Sequence, residues 1–373
     1  MAKNKSNKGL YLELRIARLL FAQGLSPFVN VWFRSGLDLG SISQPDVDVF
    51  GCLFLPDCTK FSAYYDCKSG ESKVVNRVLL LSGLKELLPP GPITYVRKNT
   101  SLDIKQYAMQ QGIRITDIRQ IEEKEKQFVE PVYGKHFPSI CDRDVHELWL
   151  SIKGKYKLES IGRILNYLEY EFWSESTFTR LKRSLAAVQL SHDACIEVGL
   201  SAFDRNIIIS LIIRKFIFSL LDAASNISLL SDSEVLELIK KSIITEKLSL
   251  NEYYNLIEST AQLIFELYGD SSKGPLRKED YYVPPPDYTE ELTGLLRKTV
   301  NLHHALPNAI ATFDALLIEN AVRKRQNVAD AILRPVPKKQ IENLKVWLRS
   351  IKLFLSSYEN TLSNWSGWES LTE

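Results

Sequence analysis

The sequence contains no CxxC pair. Its five cysteines, Cys52, Cys58, Cys67, Cys141 and Cys195, are scattered and odd in number. That spacing argues against a zinc ribbon or finger and against a disulfide framework, and it reads as reduced thiols in a cytoplasmic protein. A long apolar run is missing too. The most apolar stretch, Ile207 to Leu221, carries Arg214 and Lys215 near its middle and falls short of the roughly 20 residues a spanning helix needs. It reads as a buried helix, and no membrane partner is expected. Met1 to Gly9 is basic and polar without an apolar core, unlike a secretory signal. No Walker A, GxGxxG or GxSxG segment is present, and His136, His146, His192, His303 and His304 show no HExxH spacing. Bulk charge is small as well: 47 Lys and Arg against 45 Asp and Glu leave +2. Any nucleic-acid site must therefore come from local clustering.

The pattern present in the 373 residues divides in two. Up to residue 121, β-rich runs at Phe28–Phe33, Val47–Leu55, Phe61–Cys67, Ile93–Val96 and Ile113–Ile118 alternate with helical periods at Leu10–Gln23, Lys73–Leu88 and Leu102–Gln111. The order α-β-β-β-α-β-α-β predicts an α/β domain, residues 1–121, with a mixed sheet flanked by helices. Residues 122–141 open on the charge run Glu122-Glu123-Lys124-Glu125-Lys126 and continue through Pro131, Gly134 and Pro138, which reads as a linker. Residues 142–373 read as an all-α domain, split near 269–287 by Gly274, Pro275 and Pro284-Pro285-Pro286.

Three segments of the first domain combine into candidate chemistry. They are Gln44-Pro45-Asp46-Val47-Asp48-Val49 at the start of the second strand, Asp66-Cys67-Lys68 at the end of the third, and Glu13 on the first helix. Side chains alternate along a strand, so Asp66 and Lys68 share a face and Cys67 takes the other. A hairpin between strands two and three would bring Asp48 and Asp66 together. Two carboxylates and the Cys67 backbone carbonyl make a hard oxygen set suited to Mg²⁺ or Mn²⁺. A lysine beside them can orient a water or neutralise charge on a phosphate. Glu13 would support from the helix.

The pattern PD-(x)n-(D/E)-x-K resembles the PD-(D/E)XK, or restriction-endonuclease-like, nuclease superfamily, nearest its Mrr-type and Holliday-junction-resolvase-like branch. The resemblance covers residues 8–118. It implies an α-β-β-β-α-β core and Mg²⁺-dependent hydrolysis of DNA, an endonuclease in restriction, defence or DNA processing. On that resemblance Asp48 matches the acid of the second strand, with Asp46 as second choice for the metal, Asp66 the D/E, Lys68 the lysine and Glu13 the first-helix acid. Asp66 stands where Glu is commoner, which shortens the arm.

Around these residues, Lys73 and Arg77 lie four apart on one helix face and Arg34 sits on the loop before the acidic strand, all expected to contact phosphates. Lys and Arg outnumber Asp and Glu in residues 1–125, which fits a DNA partner. The helical domain is expected to position substrate, dimerise or bind a partner protein. Two other readings stay open: a non-catalytic nucleic-acid-binding scaffold, and a ribonuclease. The second draws on Arg297 and His303, whose spacing resembles the R-x(4–6)-H element of HEPN ribonucleases, though Lys298 stands where a small polar or acidic residue is favoured.

Overall fold

A computed structural model describes residues 3–32, 46–68, 74–134, 137–143, 145–147, 151, 159–244, 250–268 and 284–371. Five strands form one sheet in the order β1-β2-β3-β4-β5: β1 Ser26–Trp32, β2 Asp46–Phe54, β3 Lys60–Cys67, β4 Ile93–Arg97 and β5 Ile113–Asp117. The first three pair antiparallel and the last three parallel. The sheet is therefore mixed, and each strand lies within a residue or two of its expected place. The short β2–β3 connection is a turn in which Asp57 Oδ1 accepts from the Thr59 amide and Cys58 takes φ 66°. The parallel pairs require crossovers, supplied by α2 Val74–Lys85 and α3 Leu102–Gln110.

Helix α1 Lys3–Ala22 covers one face of the sheet. Its Ile16, Leu19 and Leu20 pack with Val49, Cys67 and Val96. The helix lies close because β2 carries Gly51 at the crossing, where a Cβ would sit 3.0 Å from Leu20 Cδ1. On the opposite face α2 buries Val78, Leu81 and Leu84 with Tyr64, Ile93 and Tyr95.

The stretch expected as a linker is helical. Helix α4 Ile118–Lys124 runs on through a wide turn Glu125–Val129 and a last turn Glu130–Tyr133, ending at Gly134 with φ 56°. Glu122, Glu123, Lys124 and Lys126 of the charge run face solvent, while Glu125 is half-buried. Ile121, Val129 and Tyr133 fall eight and then four residues apart and are buried on the α1 side, while Arg15 of α1 donates to both Glu125 carboxylate oxygens.

The remainder is helical: α5 Glu159–Asn166 with continuations Tyr167–Glu171 and Phe172–Ser174, α6 Thr177–Glu197, α7 Ala202–Ile227, α8 Asp232–Ile244, α9 Leu250–Tyr268, α10 Thr289–Asn301, α11 Ala309–Phe313 with its continuation Asp314–Val322, α12 Gln326–Leu333 and α13 Lys338–Tyr358. Residues 269–283, most of the expected split, lie outside the described residues. Among the described residues no helix is long and apolar enough to cross a membrane. Helix α7 is instead the central buried helix, capped by Ser201, whose hydroxyl accepts from the Asp204 amide at 3.1 Å.

The two halves share one core. Phe28 of β1 and Phe50 of β2 meet Trp173 and Phe218 edge-on, with centroids 5.1–6.3 Å apart. The sheet face that α2 and α3 leave bare over β1 and β2 is thus closed by the helical half, and Phe28, Phe50, Phe172, Phe218 and Trp347 belong to a single buried cluster.

Candidate active site

The site forms where β2 and β3 part. Their ladder runs in register to Val49 opposite Tyr65, and the next step puts Asp48 across from Asp66. On the other side of β2, Asn30 adopts φ 55° between the pairs Val29–Val49 and Val31–Val47. That left-handed residue kinks β1 opposite Asp48, and beyond it Val31 and Val47 turn to the core of Phe28 and Phe50. The kink frees Asp48 from regular pairing. Its Oδ2 accepts the Cys67 amide at 2.5 Å, taking the place of a strand partner.

Lys68 sits at the end of β3, anchored by its amide donating to Val96 O at 3.0 Å. Its Nζ lies 3.4 Å from Asp48 Oδ2 and 3.4 Å from Asp66 Oδ1. The two carboxylates are buried, at 5% and 2% exposure, while the lysine side chain is 34% exposed. One ammonium thus bridges two buried acids and still reaches solvent. Glu13, half-buried on α1, is near enough for its charge to bear on the Cys67 thiol. The Cys67 thiol is pushed well above its ordinary range first by burial, then by the charges of Asp48, Glu13 and Asp66, with Lys68 opposing. The thiol stays protonated and is no nucleophile.

Arg77 departs from expectation. The sequence predicts a phosphate contact for it, but it turns inward and clamps Asp66 with two prongs, Nε to Oδ2 at 2.9 Å and the NH2 group to Oδ1. The fork geometry of a guanidinium matches a carboxylate in this way. The sequence offered no signal for the contact, because α2 folds back over β3 only in three dimensions. Arg34 and Lys73 lie outside the described residues, as does the side chain of Asp46, whose backbone pairs with Trp32.

The donor set fits a hard divalent cation in kind only: two buried carboxylates already face two positive charges, Lys68 and Arg77, and Mg²⁺ keeps several waters and asks for few protein ligands. Among the described residues no group of three or more His, Cys, Asp or Glu side chains converges as a ready cage. A bound ion would have to share Asp66 with Arg77.

In the second candidate element, Arg297 pairs with the Asp232 carboxylate and donates to the Asp232 carbonyl at 2.7 Å, while the His303 and His304 rings are tilted against each other with centroids 3.7 Å apart. No family model, no curated protein and no solved structure matches the chain, so the reading of the site rests on its own geometry.

Proposed function

We propose that the chain is a metal-dependent phosphodiesterase acting on DNA, built on a restriction-endonuclease-like core. The observation that carries this reading is Lys68 Nζ at 3.4 Å from both Asp48 Oδ2 and Asp66 Oδ1 at one end of the sheet. Asp48, Asp66 and the Cys67 carbonyl would hold Mg²⁺ or Mn²⁺, which when bound polarises a phosphoryl oxygen and acidifies a water. Lys68, exposed enough to meet a substrate, orients the attacking water and neutralises charge gathering on the phosphate. Arg77 is a positioning residue that fixes the Asp66 carboxylate. Glu13 supports from α1. The helical half positions DNA or gates the site, as a restriction or defence role requires, and a second copy would supply the second cut of a duplex.

A scaffold reading draws on one observation: Arg77 already satisfies Asp66, as in a purely structural ion pair. Plasmid nicking with Mg²⁺ separates the two. The nuclease reading expects wild type to nick and Lys68→Ala and Asp66→Ala to fall by about 10²–10⁴-fold. Equal nicking by all three defeats it. DNA retention without nicking in all three favours the scaffold. RNA cleavage lost in His303→Ala would move the activity to the helical half.

A further inference from the structure

A second charged cluster lies in the seam where β1, β2 and β3 meet α6 and α7. Arg214 of α7 takes Asp314 with two prongs, at 2.8 and 3.2 Å. Asp222 of α7 takes Lys60 of β3, Arg180 of α6 at 3.4 Å and the Thr177 hydroxyl at 2.7 Å. That leaves Lys215. Its Nζ is 3.8 Å from the Trp173 ring centre, 4.4 Å from Phe172 and 4.9 Å from Phe28. Among the described residues the charged groups that act on that ammonium are Arg214, Arg180 and the Cys52 thiol, and none is a carboxylate.

The seam is compact. Lys215 and Arg180 share the Phe172 ring, Lys215 and Arg214 share Phe28, and Lys60 and Arg180 share Phe218. Four cations thus stand against two carboxylates. Ring faces attract an ammonium, but they do not replace the counter-ion that a buried charge requires. Lys60, Arg180 and Lys215 are only half-buried, so the excess positive charge is not sealed from solvent.

We propose that this seam binds a phosphate-bearing small molecule, with the phosphoryl group held by Lys215, Arg180 and Lys60. The excess of two positive charges matches a dianion. Guanidinium and ammonium donors together are the usual recognition set for phosphate. The groups facing Lys215 explain its behaviour without the anion: Arg214 on its own helix, Arg180 on α6, the Cys52 thiol on β2, and no acid. Burial, then Arg214 and Arg180, push its pKa well below the ordinary lysine value. A dianion beside the amine opposes that shift, so binding favours proton uptake. This site is separate from the Asp48–Asp66 cluster and does not depend on the nuclease reading.

The test is titration calorimetry of the full chain with inorganic phosphate and with a nucleoside diphosphate. It is run at about pH 8, where phosphate is dianionic, in two buffers of different ionisation enthalpy, with chloride at matched ionic strength as control. Expected are saturable binding and net proton uptake in wild type, and affinity lower by at least about tenfold, or 1.4 kcal/mol, in Lys215→Met and in Arg180→Met. Tighter binding of the diphosphate than of phosphate identifies a nucleotide-like source; equal binding identifies the free ion. Absence of saturable binding by either probe in wild type overturns the proposal, as does unchanged affinity in a folded Lys215→Met. The proton uptake is read on wild type and needs no variant to fold.

Discussion

At one end of the sheet the buried acids Asp48 and Asp66 are matched by two cations, Lys68 bridging both and Arg77 clamping one. In the seam behind the sheet the balance is reversed: Asp222 serves Lys60 and Arg180, Asp314 serves Arg214, and Lys215 lies against aromatic faces with no carboxylate partner among the described residues. Both clusters are built on the same three antiparallel strands, on residues that leave the ladder or point away from α1. The difference is what each can accept. Balanced acids with one exchangeable ammonium can trade it for a metal ion, whereas unbalanced bases call for an anion. Substitutions that remove a partner should therefore act unequally in the two places.

The largest loss is expected from Asp314→Ala. It would strand Arg214, which is buried and among the described residues otherwise bonds the Pro27 carbonyl at 3.4 Å, and add another unpaired cation to a seam already rich in them. Removing one partner of a buried pair costs about 3–5 kcal/mol, readable in urea unfolding. A loss near that of an exposed substitution would mean that the seam tolerates charge freely, and the contrast between the clusters would collapse.

Next in size is Asp66→Ala, at about 2–3 kcal/mol for the lost charged hydrogen bonds. Arg77 is less buried than Arg214, so water can take over part of its solvation. The double variant Asp66→Ala with Arg77→Met is expected to recover about 1 kcal/mol or more of that loss, because the stranded guanidinium is gone. Additive losses would show that the clamp contributes nothing to folding.

The sheet was legible in the sequence because its strands are short apolar runs closed by Gly, Pro and Asp, and because Asp-x-Lys ends one of them. The meeting of Asp48 with Asp66 followed from a hairpin in register. The kink at Asn30 that releases Asp48 did not, since a positive φ at Asn is one option among several. The charge run after residue 121 misled because five charged residues in a row look the same on a helix face as in a linker; the apolar residues at 121, 129 and 133 carried the helical period. In the sequence Lys215 is only an interruption of an apolar stretch. Its significance depends on rings that come from Phe28, Phe172 and Trp173, far apart in the chain. The partner of Arg77 was hidden for the same reason.

A smaller effect of opposite sign is expected from Lys215→Met. The lysine's folded pKa lies below its unfolded value. Between those two values the unfolded chain holds the proton and the folded chain does not, so wild-type stability falls as pH drops through that window. At neutral pH the protein carries this cost. Methionine fills the same space among the rings without it, so the variant should gain about 1 kcal/mol at pH 7 and lose the pH slope on the alkaline side. Thermal unfolding between about pH 7 and 10 reads both. A variant that unfolds earlier with the slope intact would place the pH dependence elsewhere.

The smallest change in stability is expected from Lys68→Met, and here the comparison becomes sharpest. The contacts of Lys68 with Asp48 and Asp66 are long, at 3.4 Å, and its side chain is one-third exposed, so water screens them. Its loss should cost less than about 1 kcal/mol, with Arg77 still holding Asp66 and the Cys67 amide still holding Asp48. Yet it leaves two buried carboxylates across from each other with one cation fewer. Added Mg²⁺ should then raise the melting temperature of Lys68→Met more than that of wild type, because in wild type the ammonium competes for the same oxygens. The same variant should have lost nicking. A larger Mg²⁺ response together with lost activity would assign Lys68 to the chemistry and the carboxylates to the metal. An equal Mg²⁺ response in both proteins would show that no ion enters between Asp48 and Asp66, and the balanced cluster would then be an ion-pair network that merely closes the end of the sheet.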